Sequence, residues 1–229
     1  MTFIRESVYF GVVLTLAIYS LSVAIKKKWK LAILNPLLIT SAAVILVLIC
    51  FHIDYEIYEE GAKYISYLLT PATVALAIPL YQQVELLKKH WLAIVAGILS
   101  GACTSMGTVL VLAILFRLDH GGYVTLLPKS ITTAIGMGVS EEMGGIVTIT
   151  VAVIIVTGIF GNMIAESVCK LFHITEPIAQ GIGIGSAAHA IGTTKAMELG
   201  EIQGAMSSLS IAVSGLITVI LAPLFAGIY

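Results

Sequence analysis

The sequence predicts an all-α, polytopic integral membrane protein, and three observations carry that prediction. Hydrophobic residues fill 59% of the 229 positions, and 21 glycines raise the apolar share to about 68%, where soluble domains hold roughly 45–50%. Charged residues make up 11%, less than half of the usual share of roughly 25%. Mean hydropathy is +1.04, and apolar runs of about 20 residues recur, each able to cross the bilayer as a helix that satisfies its own backbone. A net charge of −1 excludes a polybasic nucleic-acid binder, and the apolar content excludes disorder. Cys50, Cys103 and Cys169 form no Cys-x-x-Cys pair and read as free thiols, not as a disulfide scaffold or zinc site.

The first apolar run, 8–25, precedes Lys26-Lys27-Lys28-Trp29-Lys30 and has no small-residue cleavage site, so it reads as a retained helix. The second covers 33–51 and leads into a polar, acidic loop at 52–60. Residues 61–81 form a third, punctuated by Pro71 and Pro79, and 91–116, 146–168 and 204–226 are clean spans. Two stretches, 124–145 and 175–202, are only semi-apolar and read as broken or re-entrant elements. The expectation is about six full spans plus these two elements, with eight spans as the alternative. Re-entrant elements on either side of the 146–168 span would enter from opposite faces. Basic residues favour the cytoplasmic side, which puts Lys26 to Lys30 and Lys88-Lys89 inside and the acidic loop outside. An N-terminal two-helix region, 1–60, is followed by a transport core, 61–229, with broken helices at 67–85, 124–145 and 175–202.

At an offset of 57, the windows Pro71 to Gly101 and Pro128 to Gly158 share six identities, including Glu85/Glu142 and Gly101/Gly158. A third window starting with proline opens at Pro177. Each has a proline, a small-residue stretch, an acidic residue and an apolar span. Interrupted helices within repeats are a common transporter design, in which broken helices expose backbone groups to a substrate. Frequent Pro and Gly in membrane helices are the plainer account.

Three segments carry polar chemistry between apolar spans. Pro128 opens the first, with Lys129, Ser130, Thr132, Thr133, Ser140, Glu141 and Glu142. A central ionised residue costs roughly 2.5–3.5 kcal/mol, so such charges must pair, face water or meet a substrate. An exterior loop would remove that cost, but this stretch keeps apolar residues throughout and lacks Asp/Asn turn chemistry. The second segment runs from Glu176 to Glu201 and holds Gly181, Gly183, Gly185, Ser186, His189, Gly192, Thr193, Thr194, Lys195 and Glu198. A break around Gly192 with a restarted helix would offer backbone N–H groups, a Thr cap and a lysine to an anion. Tight packing of small residues is the alternative for its glycines. The third holds Thr70, Pro71, Thr73 and Pro79, where two prolines interrupt helical bonding and the threonines line the gap. Lys129 and Lys195 are the candidate carboxylate ligands, Glu141, Glu142, His189 and Glu198 the candidate proton-coupling groups, and Pro71, Pro79, Pro128, Gly183, Gly185 and Gly192 the backbone breaks. No HExxH, P-loop or GxSxG is present, so neither an enzyme nor a cofactor or metal site is expected.

PATVALAIPLY at 71–81, PKSITTAIGMGVSEEMGGI at 128–146 and EPIAQGIGIGSAAHAIGTTKAMELGE at 176–201 together resemble the LrgB/CidB family. Where that family usually reads SEQIGG, this chain reads Ser140-Glu141-Glu142-Met143-Gly144-Gly145. The resemblance implies a multi-pass protein of the cell membrane. It implies either an antiholin-like or holin-like regulator of murein hydrolases and autolysis, working with a small LrgA/CidA-type membrane protein, or a carrier of pyruvate, glycolate or glycerate, as in a plastid relative. Residues and resemblance converge on a secondary transporter of small monocarboxylates, coupled to protons or another ion and expected as a homodimer. The antiholin-like regulator is the alternative.

Overall fold

In the computed structural model, residues 9–29, 34–75 and 77–229 are described, without the side chains at 69, 70, 73, 77, 79 and 80. Every regular element among the described residues is a helix, and these residues fall into two compact units that part after Ala75.

The first unit starts with α1, Phe10–Trp29, whose last turn carries Lys26, Lys27 and Lys28. Its 20 residues reach about 30 Å, one hydrocarbon thickness. Asn35 then caps α2, Pro36–Cys50: its side chain accepts from the Leu37 and Leu38 N–H groups, and Pro36 fills the first helical position. Buried Thr40 on α2 donates to Ser22 on α1 across 3.2 Å. The acidic stretch expected as a loop is instead helical: α3, Tyr55–Ser66, is strongly amphipathic. It lies against α1 at Gly11, where a Cβ would collide with the Tyr58 carbonyl. A hydrogen bond between the Thr15 and Tyr58 hydroxyls, 2.8 Å long, adds to that contact. A short α4, Leu69–Ala75, ends the unit.

The second unit begins with α5, Ala77–Gln82. The run 61–81, expected as one span, is thus divided at the turn 67–68, which ends α3 before the helical residues that follow. Pro71 occupies the first turn of α4, where a missing N–H costs nothing, so the break at 67–68 precedes it. The side chains of Thr70, Thr73 and Pro79, named as candidates, lie outside the described residues.

Three long helices frame this unit: α6, Val84–Phe116; α9, Val147–Leu171; and α11, Glu201–Ala226. With α1 they are the four described helices long and apolar enough to span a bilayer. α6 bends at His90, which separates its polar start from the apolar 91–116. Between the long helices lie α7, His120–Leu126; α8, Thr133–Glu142; and α10, Pro177–Leu199.

Both semi-apolar stretches double back. In α10 the helical path is interrupted at His189, with φ 41° and ψ −142°. Eight residues of continuous helix rise about 12 Å, yet a Cβ on Gly192 would stand 3.2 Å from the Ile184 carbonyl oxygen. Ser207 on α11 touches both arms: its backbone lies against Gly185, and its hydroxyl is 2.7 Å from that of Thr193. In the other stretch α7 and α8 are the arms, joined through 127–132, and a Cβ on Gly136 would stand 3.5 Å from the Pro128 carbonyl oxygen. The 124–145 and 175–202 stretches are therefore helical hairpins. One is attached to the start of α9 and the other to its end, so they approach from opposite ends of that helix.

The offset of 57 has a structural counterpart. Thr150 and Ser207 stand 57 apart, each within the first two turns of the span after a hairpin and each joined to both of its arms. Gly101, Gly158 and Gly215 repeat at the same interval in α6, α9 and α11. Each makes room for a hairpin side chain: Ser186, His189 and Ile135 respectively. The register carries Pro128 onto Gly185, not onto Pro177, so the repeated unit is a hairpin plus a span rather than a window starting with proline.

Candidate functional site

The two hairpin tips meet the same levels of α6 and α9. On α6, Ser105 hydrogen-bonds Ser130 in the first tip at 2.9 Å, while Gly101, one turn away, faces Ser186 near the second. On α9, the Ile154 side chain fills the space over Gly136 of the first hairpin, and its carbonyl oxygen lies 2.9 Å from His189 Nε2 of the second. Residues 101–105 sit in the middle of the apolar part of α6, so the tips converge deep in the apolar layer.

In the first tip, half-buried Lys129 donates from Nζ to Ser130 Oγ at 3.0 Å. Among the described residues, no acidic side chain stands within ion-pair distance of it. Thr132 is the N-cap residue of α8 and Thr133 its first residue, and Thr132 makes no capping bond with its side chain. One ammonium, the Ser130 hydroxyl and the start of a helix thus lie at the tip on this side. The arms below are closed by three buried hydroxyl residues. Thr150 Oγ1 lies 2.7 Å from Ser140 Oγ and 2.9 Å from the Thr125 carbonyl oxygen, and Thr125 Oγ1 accepts from the Ile146 N–H at 2.8 Å. Thr150 Oγ1 is the donor to both Ser140 and the Thr125 carbonyl, which share its one proton.

In the second tip, His189 is 3% exposed and holds a left-handed backbone as a non-glycine residue, a strain on the order of 1–3 kcal/mol. Two contacts offset it. The imidazole reaches the Ile154 carbonyl over Gly158, where a Cβ would stand 2.6 Å from the ring, and Thr193 Oγ1 donates back to the His189 carbonyl at 3.0 Å. The break expected around Gly192 therefore falls at His189. Gly192 instead supplies the close approach between arms, and Gly183 and Gly185 lie inside a continuous helical arm. Gly185 packs on α11, as the small-residue alternative holds. Ser186 Oγ is satisfied by the Ile182 carbonyl at 2.6 Å.

The remaining candidates stand at the hairpin bases. Lys195, expected beside Lys129, is paired with Glu166 at 2.8 Å and Glu198 at 3.4 Å, and Glu166 also holds Lys170 at 2.8 Å. Glu166 is twelve residues along α9 from Ile154, about 18 Å of helix axis. Glu141 and Glu142 are exposed at the far end of α8, about 13 Å along the helix from the tip, so Glu141 does not reach His189. Beside the second base a cleft of about 330 Å³ is lined by Glu166, Cys169, Lys170, Gln180 and Leu199, among others.

Four participants escape sequence reasoning: Ser105, Thr150, Asn162 and Glu166. Asn162 on α9 donates to the Ile191 carbonyl at 2.8 Å and to Thr194 Oγ1 at 2.9 Å, and Thr194 Oγ1 donates to Ile191 as well. The available signal was a polar residue inside an otherwise apolar span. Ser105 and Asn162 are also 57 apart.

Long apolar helices enclosing two opposed, broken hairpins define a multi-pass membrane protein. The chain belongs to the LrgB-like family, whose profile matches residues 15–228. Protein YxaC of Bacillus subtilis (strain 168) is 37% identical over 218 residues, covering 95% of each chain. The antiholin-like protein LrgB of Bacillus mycoides (strain KBAB4) and that of Bacillus cereus (strain B4264) are each 36% identical over 218 residues, again covering 95% of both chains. No solved structure matches the chain.

Proposed function

We propose that the chain is an antiholin-like protein of the cell membrane that restrains murein hydrolase activity and autolysis, acting as a non-enzymatic homodimer with a small LrgA/CidA-type membrane partner. The observation that carries this reading is a relationship along 95% of the chain to proteins named antiholin-like LrgB. Deleting the gene should speed detergent-induced lysis and strengthen hydrolase bands on a murein zymogram, and restoring it should reverse both. Lysis kinetics identical in the deletion and parent strains would refute the reading.

A second reading is favoured by a separate observation: the lysine without a nearby carboxylate, at the meeting of two opposed hairpin tips. It makes the chain a secondary transporter of small monocarboxylates of the pyruvate, glycolate and glycerate class, coupled to a proton or another ion. An ammonium flanked by Ser130 and Ser105 suits one carboxylate, and broken helices at such depth are a transporter device. Lys129→Gln should abolish saturable carboxylate uptake into proteoliposomes. Uptake that persists in this variant, or leak that never saturates, would remove the assignment.

A further inference from the structure

The two arms of the second hairpin are fastened by different chemistry. Arm 177–188 is locked to α11 and α6 by close packing: a Cβ on Gly181 or Gly185 would stand 2.5 Å from a carbonyl oxygen of α11, and a Cβ on Gly101 of α6 would stand 2.8 Å from Ser186 Oγ. Arm 190–199 also meets α11, where Thr193 hydrogen-bonds Ser207 at 2.7 Å and Met197 covers Gly204, but its hold on α9 includes polar groups. Asn162 takes the Ile191 carbonyl and Thr194, and Glu166 takes Lys195. Both charged partners keep partial contact with solvent, with side chains 20% and 39% exposed. Near the base, the arms and α9 share a small apolar cluster of Ala165, Ile184 and Ala196, with Leu199 against it, while nearer the tip Gly158 and Gly161 of α9 receive Ile191 and Ala188. Leu199 also lines the cleft at the hairpin base, as does Glu166.

We propose that arm 190–199 is a gate and that the Glu166–Lys195 pair is its latch: opening the pair lets this arm leave α9 and extends the cleft inward along Ala165 and Asn162 toward the tips at His189 and Lys129. The packed arm and the strained residue at the tip supply the fixed post and the pivot. A pair in partial contact with solvent suits a latch, because water can replace the partners as the pair opens. The solute admitted is small and polar, since the route is lined by Asn162, Thr194 and the charged rim. This inference rests on the transporter reading for its purpose, but not for its test.

The test uses full-length protein with Cys50, Cys103 and Cys169 replaced by serine and a reporter cysteine at Ala165→Cys, which is sealed beneath Ala196. A second reporter, Ala102→Cys, lies in a different part of the core, where Ala102 is 4% exposed. Labelling by a membrane-impermeant maleimide in lipid nanodiscs is compared with and without Lys195→Gln. Loss of the latch should speed labelling at 165 by about tenfold or more, as expected when a local opening replaces a closed state, and leave 102 protected. Unchanged labelling at 165 overturns the proposal, and so does equal exposure of both reporters, because the arm would then not move separately. If labelling at 165 rises while the parent protein takes up no carboxylate in proteoliposomes, the gate stands and the transporter reading fails. If uptake is intact but 165 stays sealed, the reverse holds.

Discussion

The two hairpins share a plan but are braced by different means. The first is closed from inside by Thr125, Ser140 and Thr150, all buried and linked by hydrogen bonds. It leaves its one lysine without a carboxylate within ion-pair distance among the described residues. The second hairpin spends its lysine on two glutamates at the base and has at its tip a histidine in a left-handed conformation. A buried hydroxyl lock is rigid, because each member lost strands a partner without water. An ion pair at a half-wet rim exchanges its partners for water easily. In the proposed transporter, ligand-holding chemistry falls to the first hairpin and movable chemistry to the second.

Substitutions can break or sharpen this contrast. The largest effect is expected at the glycine that admits His189. Gly158→Ala places a Cβ against a ring pinned to Ile154 and 3.0 Å from the Ile191 Cβ, which should lower stability by about 1–3 kcal/mol. Gly136→Ala meets mainly the tip of the Ile154 side chain, which can swing away, and should cost clearly less. Thermal unfolding in detergent measures both, and equal losses would mean that the two tips are equally yielding.

Thr150→Val comes next. It strands Ser140 and the Thr125 carbonyl, for about 1–3 kcal/mol. Its counterpart 57 residues on, Ser207→Ala, leaves Thr193 still bonded to the His189 carbonyl, so the expected loss is nearer 0.5–1.5 kcal/mol. A larger effect at Ser207 in the same melt would reverse the assignment of the rigid hairpin.

The smallest effects on stability are expected at the lysines. Lys195→Met leaves Glu166 with Lys170 and should cost at most about 1 kcal/mol, less in high salt. Lys129→Met abandons no carboxylate and removes a half-buried charge, so its melting temperature should stay level or rise while carboxylate uptake, if present, disappears. A pronounced destabilisation by Lys129→Met would show that the ammonium is a structural tie.

Much of this architecture was legible in the chain. The clean spans at 91–116, 146–168 and 204–226 correspond to α6, α9 and α11, because a run of apolar side chains in lipid has few conformations that satisfy its backbone. The semi-apolar stretches were recognisable as broken elements between spans, since their polar groups are too costly for lipid contact. Pro128, Lys129 and Ser130 lie in the segment 127–132 that joins α7 to α8. The helix at 55–66 was missed because its charged face outweighs its apolar stripe in a composition reading.

What composition and periodicity determine by themselves is membrane residence, the long spans, and the stretches that need shelter from lipid, all set by the cost of polar groups in hydrocarbon. Which polar groups meet is a matter of folding in three dimensions. A lysine in sequence does not reveal whether a glutamate stands beside it. Only the packed hairpins separate Lys129 from the acidic groups and join Lys195 to Glu166, twenty-nine positions away. Only α9, by presenting the Ile154 carbonyl across Gly158, decides that the chain reverses at His189 and not at the more permissive Gly192.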